Sequence, residues 1–288
     1  MNAPFTVRMF DKVLDYLKKD HLSDFFERNE VWLKKVGLFG LYFAGIMGLI
    51  DALVLIVKYD DMGSAAKKTL AIGGLVWLFG AIVLHYIAYK FLPVSRMLID
   101  STPTKLGSRA CLDSTALILT FTAILSFLGG IFIAIKAETL TPFITGFFIF
   151  IFCEYCASIC MKPELVNVQI DASNRPGEEL LGLFALVMKS FLRFIPITFG
   201  SGVLFGCIEL VMVPFHKFEY TGEIVASATS IAQLLSAAAL PLVGYFIFLS
   251  YYFAADLCMA LLVLPGKVDR LKAVEPAPSP VKASPEGA

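Results

Sequence analysis

Six long apolar stretches, separated by shorter polar segments, set the pattern of this chain. They cover roughly residues 36–57, 69–89, 114–135, 139–161, 194–215 and 239–264. Each is close to the ~20 residues an α-helix needs to cross a bilayer core. The pattern predicts an all-α protein: a polytopic transmembrane helix bundle with about six spans.

The flanking segments carry different signals. Within 1–35, Phe10, Val13, Leu14 and Leu17 recur at helical spacing among Asp11, Lys12, Asp15, Lys18 and Lys19. This predicts an amphipathic helical segment, with a break near His21. Asp171, Ser173, Asn174, Pro176 and Gly177 form a turn signal. Glu178 and Glu179 then suit the first turn of a helix. Leu180, Leu181, Phe184, Val187 and Phe191 mark one face of 178–193, which reads as an interfacial helix leading into span five. The apolar run 229–264 exceeds one crossing and contains Pro241. Its Ser- and Ala-rich part, 225–240, therefore reads as a separate short or re-entrant helix. Pro142 and Pro196 are expected near span starts, and Pro265 is placed to end the last span. The three expected regions are a helical segment at 1–35, a bundle at 36–264 and a Pro/Ala-rich disordered tail at 265–288.

Composition agrees with a lipid environment. Apolar residues make up 58% of the 288 and charged residues 17%, against about a quarter charged in soluble domains. The formal net charge is zero, which supplies no general basic field for nucleic acid. The N-terminus lacks the apolar core of a cleaved signal peptide, so span one is expected to stay in the membrane.

Lys and Arg set the expected orientation. Of the 24, 19 fall in 1–35, 90–113, 162–193 and 265–288, and 5 fall in the alternate segments. The positive-inside rule then puts both termini in the cytoplasm, across an inner membrane if the cell is bacterial.

Candidate chemistry lies in ionisable residues that interrupt the spans: Asp51, Glu209, His85, Glu154 and Asp256. Such groups are costly in hydrocarbon, which makes each a functional lead. Span one reads Ala44-x3-Gly48-Leu-Ile-Asp51, and span five reads Gly202-x3-Gly206-Cys-Ile-Glu209. Gly40 extends the small stripe in span one. Small residues four apart allow close helix approach, so spans one and five are expected to pack together. Asp51 and Glu209 would then lie at similar depth and either share a proton or a cation, or separately bond hydroxyl or backbone groups or face the headgroups. The second of these is favoured because neither acid is central in its span. His85, Glu154 and Asp256 form a second layer nearer the cytoplasm, read first as unrelated interfacial side chains and otherwise as a proton relay. Cys153, Cys156 and Cys160 share a helix face, but no fourth ligand is nearby, so they are read as packing residues.

Nucleotide, protease, hydrolase and dinucleotide motifs are absent. No enzyme activity, catalytic residue, metal or cofactor is expected. The leading expectation is a scaffold or accessory subunit whose partners are the lipid bilayer and another membrane protein or a second copy. The alternative is a small proton- or cation-linked transporter or channel using the intramembrane acids. A lipid-directed enzyme using His85 and Glu154 has least support, since no nucleophile accompanies them.

Overall fold

A computed structural model describes residues 12, 22–59, 63–171, 176–213 and 220–274. Most of the N-terminal amphipathic segment and the tail past 274 lie outside the described residues. The elements run α1 (Leu22–Lys58), α2 (Ser64–Ser101), β1 (Thr104–Leu106), α3 (Ala110–Ala137), α4 (Thr141–Met161), a 3-10 turn (Pro163–Val166), β2 (Val168–Ile170), α5 (Pro176–Met212) and α6 (Tyr220–Val274). Six of the described helices are long and apolar enough to cross a membrane. The protein is an integral membrane protein with an all-α polytopic bundle.

Helix ends follow local chemistry. Pro142 sits in the first turn of α4, where its missing N–H costs nothing. Lys136 lies in the last turn of α3, and Glu138 then turns the chain in the left-handed region at φ 52°. Glu178 and Glu179 do occupy the first turn of α5. Other punctuation is overridden. Pro196 lies inside α5, and α6 runs through both Pro241 and Pro265. The stretch 178–193 leads without a break into span five, and 225–240, expected as a separate helix, is continuous with span six. In lipid a helix is the one conformation that satisfies the flanking backbone of a single segment, so losing one N–H bends rather than breaks it. At ~1.5 Å per residue, the 37 residues of α5 reach about 55 Å, well beyond an apolar core of ~30 Å. Part of it therefore extends outside the hydrocarbon.

The face of 178–193 that carries its large apolar residues is the outer one. Leu180, Phe184, Val187 and Phe191 are exposed, whereas Ala185, Leu186, Lys189 and Leu192 are buried. Large apolar side chains lose nothing by facing lipid, so the interior takes smaller and polar groups that permit close contact. The same logic leaves Phe79 on α2 and Phe121 and Phe132 on α3 exposed.

Close backbone crossings hold the bundle. Spans one and five are packed as expected, but largely through other residues than the matched motif. A Cβ on Gly37 would lie 2.6 Å from Phe199 and 2.9 Å from the Gly200 backbone, and one on Gly200 would strike Leu33 O. Gly40 does face α5, with Val203 at 2.7 Å. Ala44 is fully buried, and its carbonyl accepts a hydrogen bond of 2.9 Å from the Trp77 indole of α2. Gly48 also meets Trp77, while Gly202 meets Ala237 and Gly206 meets Leu234, both on α6. Sequence similarity between the two stripes thus did not mean mutual contact, because each helix has two neighbours requiring close approach. In the α3–α4 hairpin, Gly130 and Gly146 cross so closely that added Cβ atoms would come within 3.1 Å of the opposing Cα.

The described residues up to 248 form one compact unit and those from 249 another. The described part of the second is the C-terminal stretch of α6, in which Asp256 is exposed.

A two-stranded parallel ladder joins the loop after α2 to the loop after α4. Thr104, Lys105 and Leu106 pair with Val168, Gln169 and Ile170. The face of the bundle that carries this ladder, where α1 and α5 begin, is called proximal below. The face where those helices end is distal.

Candidate functional site

The expected ionisable residues do not converge. His85 Nδ1 lies 2.9 Å from Leu38 O, a contact that requires the ring to donate, and its ring centroid is 4.0 Å from that of Tyr42. It ties α2 to α1. Glu154 is buried on α4, beside Tyr155, whose ring packs edge-on against Phe26 at 5.0 Å. Glu209 is exposed and lines a pocket with Thr229, Ser230 and Gln233. Cys153 and Cys160 are buried in α4, Cys160 in a cluster with Ala116, Ala157 and Met161. Among the described residues no group of three or more metal-ligating side chains is brought together.

Asp51 is different. It is 4% exposed, and neither carboxylate oxygen has a hydrogen-bond partner. It lines a cavity of about 230 Å³ between α1, α2, α5 and α6, separate from the pocket of Glu209. Gly73 and Gly74 lower one wall, Trp77 forms part of another, and Leu210, Ile224 and Ile231 make the rest largely hydrocarbon. The Trp77 N–H is already bonded to Ala44 O and does not serve Asp51.

The cavity holds a second unsatisfied polar atom, Ser227 Oγ. Hydroxyls on membrane helices usually bond the carbonyl four residues earlier. Thr229, Ser230 and Ser236 on the same helix do so, at 2.9, 3.1 and 2.8 Å. Ser227 does not. Just beyond the distal end, the Lys58 ammonium is ion-paired with Glu223, which is 2% exposed. Lys58 lies three residues past Leu55 and Glu223 immediately precedes Ile224, both of which line the cavity. The nearest cation in sequence is thus engaged by a different carboxylate. A larger groove of about 700 Å³ between α1 and α5 is lined almost wholly by apolar side chains and places no unpartnered carboxylate.

Among the described residues, the proximal face carries a dense set of polar contacts. Lys189 is fully buried on α5 and donates to Thr102 O and, at 3.1 Å, to Asn167 O. Asn167 adopts φ 54° and donates its side-chain amide to Asp100 O at 2.7 Å. Arg193, one turn after Lys189, donates to Leu165 O and pairs with Glu27 of α1 at 3.0 Å. Glu179 accepts from the Gly107 and Ser108 N–H groups. Arg109 donates to Met161 O at 3.0 Å. These side chains clamp both crossover loops onto the start of α5. Outside the membrane, Lys105 pairs with Asp171 at 2.8 Å, and that hydrogen bond pushes its ammonium pKa up.

Sequence reading missed Lys189, Trp77 and Ser227. The available signal for Lys189 was its place between Ala185, Leu186 and Leu192 at helical spacing, a charge within a small apolar face. Nothing local distinguishes Ser227 from its neighbouring hydroxyls.

No protein-family model matches the chain, and no curated protein or solved structure matches it.

Proposed function

We propose that this chain is a non-enzymatic integral membrane protein acting as a scaffold or accessory subunit of a membrane assembly. One observation carries the reading. Among the described residues, side-chain hydrogen bonds from Lys189, Arg193, Glu179 and Arg109 tie the loops of the proximal face together and leave a cavity of just about 50 Å³ beside Arg193, and the in-span ionisable groups are dispersed on separate helices. A reaction site needs a nucleophile, base and stabilising group within mutual reach. A docking platform needs a stiff, fixed surface, which the clamped ladder supplies. The excess of Lys and Arg in the segments on this side supports placing it, and both termini, in the cytoplasm. Gentle purification in native lipid discs, followed by crosslinking and mass analysis, tests the idea. A co-purifying membrane protein or a homo-oligomer is expected. A lone monomer under all mild conditions would sink it.

The second reading is a small proton- or cation-linked transporter, favoured by Asp51 and its cavity. Intramembrane carboxylates facing cavities commonly mark ion pathways. Reconstituted wild type and Asp51→Asn should differ in proton or cation flux. Equal fluxes across a range of pH values would remove this reading.

A further inference from the structure

We infer that the Asp51 cavity binds a small organic ammonium ion with an apolar body. The inference names the cargo class for the cation-linked reading and rests on it in that respect. Binding itself does not require that the ligand cross the membrane.

Three observations define the ligand. First, charge: Asp51 is 4% exposed with both oxygens unpartnered, so it is an acceptor without a donor inside the bundle. A buried carboxylate is strongly disfavoured unless neutralised or paired, and a cationic donor in the cavity pairs it. The protein's own nearby ammonium, Lys58, is bonded to Glu223.

Second, the lining side chains offer few ligands to a bare metal ion. Hard cations take about six or more oxygen ligands. Apart from Asp51, the side-chain oxygens lining the cavity are Ser227 Oγ and Thr69 Oγ1, and the latter already donates to Ala65 O. The other walls are hydrocarbon and indole. An alkylated ammonium matches that mixture: its charge meets Asp51, and its carbon substituents meet Leu55, Leu210, Ile231 and Trp77. Aromatic rings attract such cations, and Trp most strongly. Ser227 Oγ, left out of the helix's own hydrogen bonding, can accept from an N–H of a primary or secondary amine.

Third, size: about 230 Å³ is below the ~300–1,000 Å³ typical of drug-sized ligand pockets. The ligand is therefore small, an amine with a short alkyl or single-ring body.

The chain has two Trp residues, Trp32 and Trp77. Trp32→Phe leaves Trp77, at the cavity wall, as sole indole reporter. The full-length Trp32→Phe protein in phosphatidylcholine nanodiscs is titrated with butylammonium chloride, a primary ammonium that carries N–H donors and a short alkyl body. A saturable change in Trp77 emission is expected, together with a rise in melting temperature that grows with probe concentration. Adding Asp51→Asn should weaken the apparent affinity about tenfold or more, as loss of a charge-assisted contact requires. Asp51→Glu, which restores the charge, should recover part of it. Sodium or potassium chloride at matched ionic strength should leave the emission unchanged.

An unresponsive or non-saturating Trp77 overturns the proposal. So do equal titrations with and without Asp51→Asn, or an equal response to sodium chloride. Saturable binding without flux in liposomes would retain the site and reject transport. Flux sensitive to Asp51 but without probe binding would do the reverse.

Discussion

Two buried charges, one toward each face of the bundle, teach different lessons. Lys189 is fully enclosed but donates to two backbone carbonyls, and it fastens the crossover ladder to α5. Asp51 is nearly as enclosed, yet neither oxygen is bonded, and it shares its cavity with an unbonded hydroxyl. A satisfied buried charge is part of the architecture. An unsatisfied one is a standing cost that folding alone does not explain, and it is the better candidate for function. Burial and charge are shared by the two residues; the partners separate them.

The largest way to break this comparison is at Lys189. Lys189→Met keeps much of the volume but removes the ammonium donor to Thr102 O and to Asn167 O, the latter keeping its bond from the Thr104 N–H. A loss of about 3 kcal/mol is expected, since hydrogen bonds from a charged group are worth roughly 1.5–3 kcal/mol each. Thermal unfolding in nanodiscs measures it, and an unchanged melting temperature would show the contacts to be incidental.

Next come the apolar crossings, which separate packing from polar effects. Gly130→Ala should cost about 1–3 kcal/mol, because its Cβ would sit 2.9 Å from Pro142 O and 3.1 Å from the Gly146 Cα. Its neighbour Gly129 has open space, so Gly129→Ala should be neutral or stabilising by up to about 1 kcal/mol. Equal effects at both positions would contradict the crossing.

At Asp51 the sign should reverse. Asp51→Leu removes the unpaired carboxylate and fills part of the cavity, so a gain of about 1–2 kcal/mol is expected from the same melting measurement. A clear loss would mean that Asp51, like Lys189, is architectural.

The smallest effect belongs to the exposed Lys105–Asp171 pair. Its hydrogen bond raises the Lys105 pKa. A raised lysine adds stability that is fully present below its ordinary value of about 10.4 and is lost as pH rises through the higher folded value. Lys105→Ala and wild type should thus differ slightly near neutral pH and converge above the lysine range. A difference that persists there would assign the effect to side-chain packing instead.

Much of the architecture was legible before any coordinates. Six apolar runs forced six helices, because a chain in lipid must satisfy its backbone within each segment. The positions of Asp51, Glu209, His85, Glu154 and Asp256 in apolar runs were equally plain. Their roles were not. His85 finds Leu38 O on another helix, Glu209 turns outward, and Asp51 turns into a cavity walled by four helices. Hydropathy carries no information about helix rotation, since lipid and interior are both apolar.

That limit also explains the two readings of α5. The sequence determined that 178–193 is helical and amphipathic, through Glu178, Glu179 and the spacing of its apolar residues. Only the tertiary structure decided that Leu180 and Phe184 face outward while Lys189 faces inward, because the inward choice depends on carbonyls in two loops far away in sequence. Likewise the small-residue stripes showed that α1 and α5 have close neighbours. Which neighbour each glycine meets was settled by three-dimensional packing, in which Gly40 touches α5 while Gly48 touches α2 and Gly206 touches α6. Local chemistry fixes what a segment is, and the contacts that give it a purpose come from segments it cannot see along the chain.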